Sequence, residues 1–125
     1  MWKRNKYHAM KIMVDGERFD SHAEYRRWQQ LVIMRDAGEI CNLRRQVEYE
    51  LIPEQREPAV GKKNGKLLER KCSYVADFVY DKNVDGIYQT IVEDTKGCRK
   101  GAAYDLFVIK RKLMLQRYGI KVREV

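Results

Sequence analysis

Tyr74-Val75-Ala76-Asp77-Phe78 and Ile91-Val92-Glu93-Asp94-Thr95-Lys96-Gly97, with Asp85-Gly86 between them, decide how this chain folds. Each is an apolar run of β-branched and aromatic residues that ends in acid, a residue type that strand interiors avoid. Asp-Gly is favoured in a two-residue type I′ hairpin, where both central residues need positive φ. A hairpin turning there sets Asp77 opposite Asp94, with Cβ atoms roughly 5 Å apart. Any even-length loop keeps the two acids on one face, and an odd one without a bulge separates them. Strand side chains alternate, so Asp94 and Lys96 share one face while Glu93 and Thr95 take the other. Two carboxylates facing each other on a half-buried sheet repel unless a cation lies between them. All-oxygen ligands of this kind suit Mg²⁺ or Mn²⁺. The constellation reads as a metal site with a lysine beside it. Alone, Asp94-x-Lys96 is an ordinary solvated pair and Asp77 an ordinary strand end. The second acid in register, and a third at Glu24, lift the group above that reading.

Outward from this hairpin, Ser21-His22-Ala23-Glu24 is an S-x-x-E capping box opening a helix that runs to about Ala37, where Gly38 stops it. Trp28, Leu31 and Val32 form its apolar stripe. Glu24 has two open roles. As a cap it folds back on the Ser21 amide; at i, i+4, i+7 with Trp28 and Leu31 it faces the sheet and can reach a site there. From Leu43 to Leu51 the chain alternates, with Val47, Tyr49 and Leu51 facing one way and Gln46, Glu48 and Glu50 the other. A second helix spans about Ala102 to Tyr118, ended by Gly119, with Leu106, Ile109 and Leu113 as its buried stripe beside Phe107 and Met114. Ile120 to Val125 alternates as a last strand.

Residues 1–20 form an N-terminal arm with a hairpin across Asp15-Gly16. Residues 53–71 are a basic flexible loop or the tip of a long hairpin, and Asn64-Gly65 before Leu67-Leu68 favours the hairpin. Lys62, Lys63 and Lys66 there, and Arg99 and Lys100 after the second acidic run, are candidates to track phosphates; a solvated charged tip is the commoner role of such residues. The core order is helix, strand, strand, strand, helix, strand. That is an α/β (α+β) domain over residues 1–125, with an antiparallel meander in a mixed sheet covered by helices.

Composition narrows the partners. The 125 residues carry 26 Lys and Arg against 18 Asp and Glu, a net charge of +8, which favours a polyanion. Nucleic acid comes first; a membrane surface lacks support, because no apolar run approaches the ~20 residues of a span. Met1 to Tyr7 is basic and leads to no apolar signal core, so a cytoplasmic location is expected. Cys41, Cys72 and Cys98 fit neither a disulfide framework nor a zinc pattern.

Asp77 before a hairpin, Asp94-x-Lys96 after it and Glu24 in the preceding helix resemble the PD-(D/E)xK nuclease superfamily, whose restriction-endonuclease-like core is αβββαβ. The wider pattern is similar to one phage and prophage family within it. That pattern is Asp15-Gly16…Phe19-Asp20-Ser21…Glu24, Tyr74-x-x-Asp77-Phe78-x-Tyr80 and Val92-Glu93-Asp94-x-Lys96-Gly97. The family is domain of unknown function 1064, considered Holliday-junction-resolvase-like endonucleases, and the likeness runs over roughly residues 5–124. It implies that Asp77 and Asp94 bind Mg²⁺, with Mn²⁺ substituting and the Thr95 carbonyl as a further ligand. Glu24 would complete the acidic cluster directly or through water. Lys96 would position or deprotonate the attacking water and stabilise charge on the phosphate. Ala76 stands where the motif has proline, Asp94 rather than Glu93 has the spacing to the lysine, and Gln46 is a lesser candidate. The implied function is a metal-dependent DNA endonuclease, selective for Holliday junctions or other branched DNA, acting in phage recombination, replication or packaging in a bacterial cytoplasm. A four-way junction is two-fold symmetric and needs paired cuts, so a homodimer is expected, with Trp2 and Tyr7 as candidate contacts. The alternative is a non-catalytic nucleic-acid-binding protein of phage or prophage origin.

Overall fold

In the computed structural model, which describes residues 2–4 and 10–125 and the side chains from Lys11 onward, the N-terminal arm is a three-stranded antiparallel sheet. Tyr7 and the Trp2 side chain, named above as dimer contacts, lie outside the described residues. Strands β1 (Trp2–Arg4), β2 (Met10–Val14) and β3 (Glu17–Phe19) pair in sequence order. Asp15 and Gly16 take the positive φ of a two-residue turn, 50° and 80°. Helix α1 (His22–Asp36) starts at Ser21, whose hydroxyl accepts the Glu24 N–H at 3.1 Å, and stops at Ala37 before Gly38 in the left-handed conformation. The buried Phe19 ring packs on Tyr25 and Trp28, which fixes the arm to the helix.

After α1 come β4 (Ile40–Ile52), β5 (Gln55–Ala59), β6 (Lys62–Glu69), β7 (Cys72–Val84), β8 (Ile87–Asp94), α2 (Ala102–Tyr118) and β9 (Arg123–Glu124). The main sheet has the order β4-β7-β8-β9, antiparallel except for the parallel β8–β9 pair, so it is mixed. Setting aside the N-terminal arm and the β5–β6 hairpin, the order is αβββαβ, as expected. Both faces are covered. Phe107 and Met114 of α2 close one core with Leu51, Tyr74, Ala76, Val79 and Val92, while Leu31 of α1 closes the other with Ile40, Phe78, Tyr80 and Ile91. Among the described residues no helix is long and apolar enough to cross a membrane.

Two expectations need correction. The buried stripe of α2 is not Leu106–Ile109–Leu113. Leu106 and Ile109 are 52% and 55% exposed, and the helix is rotated to bury Phe107 and Met114 with Tyr104, Val108 and Leu113 beside them. Apolar residues occupy two adjacent flanks of this helix, and only the packed sheet selects between them.

The segment 53–71 is a hairpin, but its turn is Val60-Gly61, closed by the Ala59–Lys62 pair. Asn64-Gly65 instead forms an irregularity inside β6, where Gly65 has φ +70° and a Cβ would stand 2.2 Å from the Glu57 carbonyl oxygen. We predict that Gly65→Ala costs about 1–3 kcal/mol, confined to this hairpin. Hydrogen exchange should then accelerate in β5 and β6 while the melting temperature of the main sheet barely moves. Equal protection of the hairpin in both proteins would refute the close approach.

One further feature shapes the site. On β4, Leu43 packs on the α1 side and the Arg45 guanidinium lies 3.7 Å from the Phe19 ring centre, whereas Val47, Tyr49 and Leu51 pack on the α2 side. On β7, Tyr74 and Ala76 belong to the α2 side, and Phe78 and Tyr80 to the α1 side. Strict alternation would keep each of these sets on one face. The pairs Val47–Ala76 and Arg45–Phe78 bracket Gln46 and Asp77, and Gln46 has φ +52°. Both strands therefore change faces at a single row, while Gln46, Glu48 and Glu50 remain exposed in alternation with the partly buried Arg45, Val47 and Tyr49. A left-handed non-glycine residue costs roughly 1–2 kcal/mol, so contacts at that row must hold it.

Candidate metal centre

Asp85 and Gly86, with φ 53° and 84°, turn β7 into β8 in the register Val84–Ile87 through Phe78–Glu93. Continued by one row, that register sets Asp77 opposite Asp94. Beyond it the Thr95 N–H donates to Asp77 Oδ2 at 2.8 Å, tying the end of β8 to the acid opposite. The two carboxylates line an open cleft of about 320 Å³ with Glu24, Gln46, Thr95 and Lys96.

Each acid is held from a different element. Asp94, 5% exposed, accepts the Tyr74 hydroxyl on Oδ2 at 2.6 Å and pairs through Oδ1 with Lys96 Nζ at 2.8 Å. The Lys96 ammonium also lies 4.0 Å from the centre of the Phe107 ring, so cation–π attraction and the ion pair fix it together. Glu24, 2% exposed, divides its oxygens. Oε2 accepts the Asp20 N–H at 2.6 Å, so the return bond of the capping box reaches Asp20 rather than Ser21. Oε1 accepts Gln46 Nε2 at 3.1 Å and lies 3.7 Å from Arg45 Nη2. Cap and cleft are thus roles of the same side chain. Gln46 Nε2 also donates to Asp77 Oδ1 at 3.4 Å.

The acids crowd one another in a part-buried cleft. Burial first, then the charges of Asp94 and Glu24, push the Asp77 carboxyl up to about 7, against the pull of the Thr95 N–H and Lys96. Burial also raises Glu24, offset by its bond from the Asp20 amide and by Arg45. Burial and the Asp94 charge raise the Tyr74 hydroxyl, which stays a donor. The oxygen-only donor set and the mutual repulsion fit a hard divalent ion. Among the described residues, however, no three His, Cys, Asp or Glu side chains form a ready-made metal-ligating group. Gln46, Lys96 and Tyr74 fill the acids' coordination in its place.

A pH dependence follows. Asp77 is raised above its unfolded value, so folding binds a proton between pH ~4 and ~7 and the destabilising charge is complete only above that window. Asp77→Asn should therefore raise the melting temperature at pH 8, and the gain should shrink as the pH falls towards 4. Melts in buffers from pH 5 to 8 test this; a gain independent of pH would mean that Asp77 is not raised.

The remaining candidates lie apart from the cleft. Lys62, Lys63 and Lys66 are exposed on β6, Lys100 is exposed, and Arg99 pairs with Glu124 at 3.3 Å. Thr95 contributes its amide as donor, and its buried Oγ1 finds no partner among the described residues. Tyr74, Arg45 and the extent of Gln46's involvement are what sequence reasoning missed. Tyr74 already stood in the quoted pattern, but its bond to Asp94 joins residues that are not partners in the strand register. On the opposite face Glu93, 1% exposed, receives Arg27 Nε at 2.8 Å and Nη2 at 2.7 Å as well as the Tyr80 hydroxyl.

No curated protein and no solved structure matches this chain. One protein-family profile does, over residues 4–124, nearly the full length. The chain therefore belongs to the family described as protein of unknown function (DUF1064).

Proposed function

We propose that this protein is a metal-dependent DNA endonuclease that hydrolyses phosphodiester bonds at the cleft between Glu24, Asp77, Asp94 and Lys96. The observation that carries the reading is the Asp77–Asp94 row, two facing acids beside a fixed lysine, one of them with its ionisation held up to about 7. An ion held by Asp77 and Asp94, Mg²⁺ or in its place Mn²⁺, would polarise a phosphoryl oxygen and lower the pKa of bound water. Tyr74 orients Asp94, and the Thr95 amide orients Asp77. Lys96 places positive charge where negative charge grows on the phosphate. Lys62, Lys63, Lys66, Arg99 and Lys100 supply a basic surface for the flanking backbone. Selectivity for branched DNA, a homodimer matched to a two-fold junction, and work in a bacterial cytoplasm rest on the family resemblance.

A second reading draws on the pairing of the acids. Because Lys96, Tyr74 and Gln46 already satisfy them, the row also suits a rigid, non-catalytic nucleic-acid-binding protein. A cleavage assay on labelled four-way junction and matched linear duplex, with Mg²⁺, Mn²⁺ or EDTA, separates the two. Metal-dependent cutting of the junction alone supports a resolvase, and cutting of both a less selective nuclease. Tight, salt-sensitive binding with no product under any metal sinks the nuclease reading.

A further inference from the structure

Among the described residues four non-glycines have positive φ: Asp15, Asn42, Gln46 and Asp85. Asp15 and Asp85 occupy hairpin turns that require it, and Asn42 lies within a register shift near the start of β4. Asp and Asn tolerate this conformation through short local hydrogen bonds. Gln46 has no such device and lies in mid-strand opposite Asp77. Its side chain accounts for its backbone. The carboxamide Nε2 donates at once to Glu24 Oε1, 3.1 Å, and to Asp77 Oδ1, 3.4 Å.

The partial positive charge of that NH₂ group lies between two carboxylates carried by different elements, the place a bridging cation would take. Its Oε1 makes no hydrogen bond among the described residues. The terminal torsion of a glutamine is broad and roughly two-fold, so the amide can turn end for end in place. That turn would replace a donor by a neutral, hard oxygen of the kind Mg²⁺ accepts.

We propose that Gln46 is both stopper and ligand of the cation site. Without a cation its NH₂ group bridges Glu24 and Asp77. When a divalent cation enters, the carboxamide turns and coordinates through Oε1. This rests on the reading of the cleft as a divalent-cation site and adds a residue and a conformational step to it.

The test uses the full chain without DNA. Mg²⁺ is titrated into ¹⁵N-labelled protein while the Gln46 side-chain NH₂ pair and the Thr95 amide are followed by NMR. Mn²⁺ affinity is measured by calorimetry for wild type, Gln46→Leu, Gln46→Glu and Asp94→Ala, each first shown to melt as a folded protein in EDTA. The NH₂ pair should move saturably with the same midpoint as the Thr95 amide. Gln46→Leu should weaken Mn²⁺ binding about tenfold, and Gln46→Glu, which keeps an oxygen and adds charge, should tighten it. If Gln46→Leu does not fold, the NH₂ resonances and the glutamate variant decide. A stationary NH₂ pair beside a moving Thr95 amide, or wild-type affinity in Gln46→Leu, overturns the role of Gln46 and leaves the metal site standing. Absence of any Mn²⁺ binding by wild type overturns both.

Discussion

Replacing Asp94 with alanine is expected to abolish Mg²⁺-dependent cleavage of a four-way junction while leaving junction binding nearly intact. Asp94 is the common partner of the site, paired with Lys96, oriented by Tyr74 and lining the same cleft as Asp77. Its loss removes a ligand and releases the lysine together. Losing one preorganised electrostatic group typically costs ~10²–10³ in rate; losing a ligand and the lysine's anchor together should cost more. Binding should survive because the exposed lysines and arginines proposed to contact phosphates remain, and one repulsive carboxylate is gone. Asp77→Ala should behave alike. Lys96→Ala separates ligand from electrostatic aid: cleavage should be lost, whereas Mn²⁺ binding should be retained or tightened, because Asp94 Oδ1 loses its competing ammonium. Single-turnover rates with labelled junction, and gel shifts in EDTA, measure the two halves. Wild-type cleavage by any of the three variants would remove that residue from the catalytic assignment.

The largest stability effect is expected on the other face of the sheet. Arg27→Ala strips Glu93 of two hydrogen bonds and its counter-charge, leaving a buried carboxylate with the Tyr80 hydroxyl alone. Breaking one side of a buried ion pair costs about 3–5 kcal/mol. Against a total stability on the order of 5–15 kcal/mol that is a large share. For a domain of this size it corresponds to a melting temperature lower by roughly 10–20 °C. The paired change Arg27→Met with Glu93→Leu should recover most of the loss, because apolar replacement of a whole buried pair is often neutral or stabilising. Thermal denaturation of the three proteins checks the order. A single Arg27→Ala variant that melts with the wild type would mean that Glu93 is solvated or otherwise paired.

The features legible from sequence are those encoded locally. Asp85-Gly86 requires a two-residue turn, and that sets the register from Val84–Ile87 to Phe78–Glu93, one row short of Asp77 and Asp94. Ser21 and Gly38 bound α1, and Gly119 ends α2, because caps act within one turn of helix. What failed depended on partners distant along the chain. The rotation of α2 away from Leu106 and Ile109 is decided by its packing on β4 and β7. The choice between Val60-Gly61 and Asn64-Gly65 is decided by the approach of Gly65 to Glu57 across the strand pair. Gln46 carries no propensity for a left-handed conformation, so its reversal is visible only once Glu24 and Asp77 are in place. Glu93 was read correctly as facing away from Asp94, but Arg27, on another element, could not be named.

The main sheet divides the interior into two compartments, one closed by Leu31 and one by Phe107 and Met114. Glu24 is carried by the first, while the side chains that hold Asp94 and Lys96 belong to the second. The spacing across the cleft is therefore the sum of two separate tolerances, like a gap set by two independent screws. A lineage can exchange core residues in either compartment and restore the gap by an exchange in the other. Drift in apolar residues that never touch the cleft then becomes a means of tuning it.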